Sequence, residues 1–173
     1  SENFMAQLQV GWAALAKFSY IFRSKVYSFA SKMKLFEATV TPAVLYGAGT
    51  WTLTRTLEVE LRRTKRRMLR IMAGTARNLE ETWVEFIQRS THLAERKSFA
   101  LGYDDWITAA RKTKWRLAGK TARASDYHWS MRLLAWKPWF RCSPYRSVGH
   151  PVKRWDEDVQ RLAGGDWATH AQD

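Results

Sequence analysis

Five arginines, Arg62, Arg63, Arg66, Arg67 and Arg70, fall within nine consecutive residues. At 100° per residue they occupy an arc of roughly 140° on a helix, while Leu57, Leu61, Met68 and Met72 occupy roughly 60° on the other side. A guanidinium carries a fixed fork of N–H donors that matches phosphate oxygens two at a time, so an arginine-faced helix is suited to holding a phosphate backbone. Lys112, Lys114, Arg116, Lys120 and Arg123 repeat the theme, and Lys153 and Arg154 follow. Trp106, Trp115, Trp129, Trp136, Trp139 and Trp155 run through the second block, and indoles among cations can stack on unpaired bases. The alternative for each tryptophan is a place in the core, and for each arginine a solvated helix face.

Other constellations fail as catalytic centres. Tyr103-Asp104-Asp105 lacks the spacer of a Tyr-x-Asp-Asp turn, and no aspartate occurs in residues 1–103 to complete a two-metal site. The pair reads instead as the N-terminal cap of a helix. Cys142 and His150 have no second cysteine beside them, which leaves zinc without a ligand set. Asp156, Glu157 and Asp158 open a helix, where acids are favourable in any case. Gly47-Ala48-Gly49 has neither the third glycine nor the context of a dinucleotide loop. No catalytic, metal or cofactor residue is expected.

Positioning these residues requires helices, and helical periodicity runs through nearly the whole chain. Phe4, Leu8, Trp12 and Leu15, continued by Phe18 and Phe22, predict a first helix over about 3–29. Ser31 is placed to cap a second, carrying Met33, Leu35, Phe36 and Val40 toward a kink or break at Pro42. Thr39-Val40-Thr41 admits a strand, but the helix is preferred. The arginine helix starts after Thr54 and ends at Gly74. Asn78 with Glu81 resembles a capping box for a helix bearing Trp83, Phe86 and Ile87. Asp104 or Asp105 caps the next, with Trp106, Ala110, Thr113 and Leu117 on one stripe. A short helix over about 129–136, a proline-containing loop near 137–151, a helix from Val152 to Ala163 and a last turn after Asp166 complete the reading. The expected class is all-α, an irregular bundle that admits two lobes joined near residues 74–79.

Composition agrees with a folded nucleic-acid binder. The chain has 173 residues, 46% of them hydrophobic, with ten tryptophans and a net charge of +13. That excludes a wholly disordered or low-complexity segment. The charge is segmental: +6 over residues 55–77, −3 over 78–110, +11 over 111–154 and −4 over 156–173. The longest uncharged run, Ala38 to Thr54, contains five threonines, two glycines and Pro42, so no integral membrane span is expected. One cysteine excludes a disulfide framework and fits a reducing, intracellular compartment. The start at Ser1-Glu2-Asn3, without Met or a secretory signal, is read as a fragment or a processed product.

The stretch KMKLFEATVTPAVLYGAGTWTLT (32–54), leading into a helix that ends RRMLRIMAG (66–74), resembles the region downstream of the polymerase palm in reverse transcriptases of non-LTR, LINE-type retrotransposons. Further pieces follow in the family's order: WVEFIQRSTHLAE (83–95), RKTKWRLAGKTAR (111–123), GHPVKRWDEDV (149–159) and GDWATHAQD (165–173). The family has approximately Trp-Arg-Trp-x-Gly-His-x-Ala-Arg and Gly-Arg-Pro-x-x-Arg-Trp at two of these places. Lys120 stands where it often has His, and His150 where it often has Arg.

The resemblance implies that residues 1–77 are thumb-like and that 78–173 form a linker-like region. The thumb holds template–primer duplex by its backbone, and the linker helps position RNA or target DNA. It implies no polymerase activity for this chain, which lacks the palm and its catalytic aspartates. The expected partner is RNA or an RNA/DNA duplex. The alternative is a retroelement-derived helical scaffold within a large protein assembly, with no nucleic-acid role.

Overall fold

The computed structural model describes residues 2–124, 129–135 and 154–171. The chain is all-α, and no strand occurs among the described residues. In chain order the helices are α1 (Glu2–Lys17), α2 (Ser19–Arg23), α3 (Phe29–Val44), α4 (Arg55–Ala73), α5 (Trp83–Ala100), α6 (Trp106–Ala122), α7 (Trp129–Ala135), α8 (Glu157–Ala163) and α9 (Trp167–His170), with a 3-10 turn at Ala48–Thr50.

Residues 1–47 and 53–110 make one compact unit, and residues 48–52 and 111–173 a second. These units do not coincide with the 1–77 and 78–173 division, because α5 packs on α4 and both belong to the first unit. Helix α6 supplies Trp106 to Ala110 to the first unit and its remainder to the second.

In the first unit α1 packs on α3, and α4 packs on α2, α3 and α5. Phe4, Leu8, Leu15, Phe22, Met33, Phe36, Val40 and Val44 are buried, with Leu61, Met68 and Met72 from the apolar side of α4. Gly11 allows a close approach, since a Cβ there would overlap Val44 Cγ2. Trp106 lies parallel to Phe36 with centroids 5.8 Å apart, and its indole N–H donates to Thr41 Oγ1 at 3.0 Å. This assigns Trp106 to the core and removes it from the base-stacking candidates.

The expected first helix is broken: α1 stops at Lys17, and α2 is a separate short helix after Phe18. Helix α3 is capped by Ser28, whose hydroxyl accepts from Ser31 N–H, so Ser31 is the donor rather than the cap. Pro42 is tolerated inside α3, which ends two residues later at Val44. Helix α4 follows its sequence signals, with Thr54 Oγ1 accepting from Leu57 N–H and Gly74 in the left-handed region at φ 58°. The capping box of α5 is Thr82–Glu85 rather than Asn78–Glu81. Asn78 N–H does donate to Glu81, but as part of the turn before the helix.

The second unit buries Ala118, Ala122, Val159 and Trp167, with Trp155, Ala168 and Ala171 packed against them. Trp155 donates its indole N–H to Gly49 O at 2.7 Å. A Cβ at Gly49 would lie 3.2 Å from Leu117 Cδ2 and 3.4 Å from the Thr113 carbonyl, so the turn packs closely on α6. The buried stripe of α6 runs through Trp106, Ala110, Lys114 and Ala118, and Thr113 is exposed. Helix α8 begins at Glu157 rather than near Val152. The loop expected at 137–151 lies outside the described residues.

Candidate nucleic-acid interface

Arg63, Arg66, Arg67 and Arg70 line one cleft of about 570 Å³ between α4 and α5, opposite Ile87, Gln88, Thr91, His92 and Glu95. The spacing on α4 explains the convergence: residues three and four apart share a face. Helix α5 runs back alongside, so Glu95 meets Arg66 and, one turn earlier, Thr91 meets Arg70. Arg66 Nε donates to Glu95 Oε1 at 2.7 Å, and Arg70 Nη1 to Thr91 Oγ1 at 2.9 Å. Arg63 pairs with Glu60 at 2.8 Å on the open surface, and Arg67 lies over the Trp12 ring at 5.2 Å. Each such contact orients a guanidinium while leaving some of its five donors uncommitted.

The electrostatics favour an anion. Partial burial lowers the Arg70 pKa, and the like charges of Arg67 and Arg66 lower it further. The side chain stays cationic, because arginine is not deprotonated in proteins. An anion in the cleft relieves the repulsion that lowers the value. Glu95 neutralises part of the charge at one end.

The five arginines do not form a single row. Arg62 lines a smaller cleft, of about 180 Å³, with Lys65, Leu69, Phe99, Tyr103 and Asp105, and Arg66 borders both. Lys65 is buried there, donates to Asp104 O at 2.6 Å and lies 5.9 Å from the Trp106 ring centroid. Burial lowers its pKa, against the opposing field of Glu37. Burial likewise raises the Glu37 carboxyl.

The second block divides. Lys112, Arg116 and Lys120 are exposed on α6. Lys114 points inward and is 3% exposed, with Nζ 3.1 Å from Asp158 Oδ2 and 5.4 Å from the Trp155 ring centroid. It sits one turn from Ala110 and one turn from Ala118, so its register on the buried stripe was the signal and its charge hid it. Arg123 donates to Ala171 O at 3.3 Å, and Arg154 pairs with Asp156 at 3.1 Å. Lys153 lies outside the described residues.

The remaining candidates have structural roles. Asp156 accepts from Arg154 and Gln160, Glu157 from Arg154 N–H, and Asp158 from Lys114. Among the described residues no group of three or more His, Cys, Asp or Glu could hold a metal ion, and no helix is long and apolar enough to cross a membrane. Sequence reasoning missed the turn that leads into α5. There Arg89 donates to both Glu81 oxygens, at 2.7 and 2.8 Å, and to Ala76 O at 2.9 Å. Those hydrogen bonds hold the Glu81 carboxyl down at about 2.

Fold and charge together describe a basic, all-α protein with an arginine-lined cleft. Compared with known proteins, the chain is 27% identical over 151 residues to an uncharacterized transposon-derived protein of Caenorhabditis elegans. The match covers 82% of this chain and 50% of the relative, so the chain spans about half the length of the protein it matches. That relative accords loosely with a mobile-element origin. No protein-family model and no solved structure matches the chain.

Proposed function

We propose that this chain is a non-catalytic, nucleic-acid-binding part of a reverse-transcriptase-like protein of the non-LTR, LINE type. It grips the backbone of RNA or of an RNA/DNA duplex, and α4 is the thumb-like element that does so. The observation that carries the reading is the convergence of Arg63, Arg66, Arg67 and Arg70 on one cleft. The transposon-derived relative and the ordered sequence pieces support the mobile-element ancestry. Phosphate contacts of this kind fix register and orientation without reading sequence.

The test is binding of a fluorescent primer–template RNA/DNA duplex, compared between the wild-type chain and the triple variant Arg63→Ala, Arg67→Ala, Arg70→Ala. Loss of affinity in the variant is expected, and unchanged affinity refutes the reading. The second reading, a helical scaffold subunit, is favoured by one feature. Leu79, Trp83 and Val84 are all largely exposed around the start of α5. An apolar group of that kind is an ordinary protein contact. Under this reading, polar replacements there release co-purifying protein subunits, and the triple arginine variant leaves duplex affinity unchanged.

A further inference from the structure

The two clefts beside α4 differ in what they leave unused. Around the larger one Arg63, Arg66, Arg67 and Arg70 are each engaged, by Glu60, Glu95, Trp12 and Thr91 in turn. Arg62, in the smaller cleft, is exposed and has no hydrogen-bond, ion-pair or ring partner among the described residues. The same holds for the Phe99 ring and the Tyr103 side chain, which line that cleft with it. Among the described residues no aromatic ring is more exposed than Phe99, at 84%.

The turn after α5 builds this wall. Gly102 N–H donates to Phe99 O at 2.9 Å, and Gly102 takes φ 76°, a left-handed conformation that suits glycine and reverses the chain. Tyr103 follows at once and faces the same cleft as Phe99. The buried Lys65 donates to Asp104 O, which ties the turn to α4.

The lining selects the occupant. Arg66 borders both clefts, and four residues of α4, a rise of about 6 Å, separate it from Arg62. A strand whose backbone lies along Arg70 and Arg66 is therefore carried to the small cleft next. At about 180 Å³ that cleft is smaller than the roughly 300–1,000 Å³ of pockets that enclose a whole ligand, so it suits a single ring system. Glu95 and Asp105 on its wall repel a phosphate from the interior, while Phe99 and Leu69 offer apolar surface to a ring.

We infer that the small cleft is a nucleobase subsite at the end of the backbone track. One unpaired base stacks on Phe99, the Tyr103 hydroxyl meets its polar edge, and Arg62 at the rim holds the neighbouring phosphate. A base inside a duplex is already stacked on both faces, so the ligand is a duplex with a single-stranded extension. The inference deepens the α4 reading and rests on it.

The experiment measures the whole chain, by fluorescence anisotropy at fixed salt, against an RNA/DNA duplex with a short single-stranded template extension and against the same duplex with blunt ends. Phe99→Ala is expected to weaken binding of the extended duplex by about 5- to 150-fold, the affinity equivalent of one lost stacked base, and to leave the blunt duplex unchanged. Phe99→Trp is expected to restore most of the loss. Phe99 is solvent-exposed and alanine is the better helix former, so Phe99→Ala should keep its helical circular dichroism and its Tm. Arg62→Ala is expected to flatten the salt slope of the extended duplex by roughly 0.7, the value for one phosphate on a single strand, and not that of the blunt one. The inference is overturned if Phe99→Ala leaves extended-duplex binding intact, or weakens both duplexes equally. It is also overturned if Phe99→Ala releases a co-purifying protein while both duplexes are held as before. If the α4 triple variant loses both duplexes and Phe99→Ala changes neither, the subsite fails and the α4 reading stands. If the triple variant binds both duplexes as the wild type does, the α4 reading fails and the subsite falls with it.

Discussion

A charged side chain on a helix is not automatically a ligand contact, and Lys114 and Arg116 make the distinction two residues apart. Lys114 closes an interior ion pair with Asp158, and Arg116 faces solvent. Lys114→Met should leave duplex affinity unchanged while destabilising the chain by roughly 1–3 kcal/mol, since a partly buried carboxylate loses its donor. Urea denaturation alongside binding anisotropy checks both halves. The Glu81–Arg89 pair gives a pH prediction. Glu81 is depressed to about 2, chiefly by hydrogen bonds from Arg89. A carboxylate depressed in the folded state contributes stability above its unfolded value, and that contribution is lost as pH falls from there toward 2. Carbon-detected NMR should therefore find Glu81 titrating well below the ordinary glutamate value, and Arg89→Gln should raise it. A Glu81 that titrates with the rest in the unaltered chain contradicts the pairing.

Among the elements, α4 binds the account together, because one helix supplies both core and cation face. Its packing depends on α1 and α3 being drawn close at Gly11, whose missing side chain accommodates Val44. Gly11→Ala raises helix propensity by about 1 kcal/mol, yet the overlap with a stiff, buried valine should make the net effect destabilising by about 1–2 kcal/mol. Adding Val44→Ala opens the space, so the double variant should show a favourable coupling in a thermal-denaturation cycle. Additive effects would mean the helices do not meet there.

Helix α4 was legible in the sequence because its period, Thr54 and Gly74 agree. The other boundaries were less so. Ser28 and Ser31 both carry a capping hydroxyl, and Asn78–Glu81 and Thr82–Glu85 both have capping-box spacing. Which member of each pair starts the helix depends on where the chain turns, and tertiary packing decides that. The break at Phe18 has the same origin: the apolar period continues across it, while α2 is separately packed against α4.

On the scale of the whole molecule, charge distribution and compact units tell different stories. The charge segments change sign near residue 78, where α4 gives way to α5, and the acidic Glu95 then meets the basic Arg66 across the cleft. The −3 spacer therefore packs against the +6 helix instead of separating two lobes, which linear charge arithmetic could not reveal. What remains after such internal pairing is the charge offered to a ligand. Each phosphate neutralised by the protein releases condensed counterions, so the slope of log affinity against log salt counts contacts at about 0.9 per phosphate on B-form duplex.

The central claim is that the α4 cleft holds a nucleic-acid backbone, and the salt dependence of duplex binding tests it most directly. The wild-type chain should give a steep negative slope on a primer–template duplex. The Arg63→Ala, Arg67→Ala, Arg70→Ala variant should flatten that slope by roughly 2–3 units, with the exposed Lys25→Ala as a control outside the basic blocks. A flat wild-type slope, or an unchanged slope in the triple variant, would contradict the account.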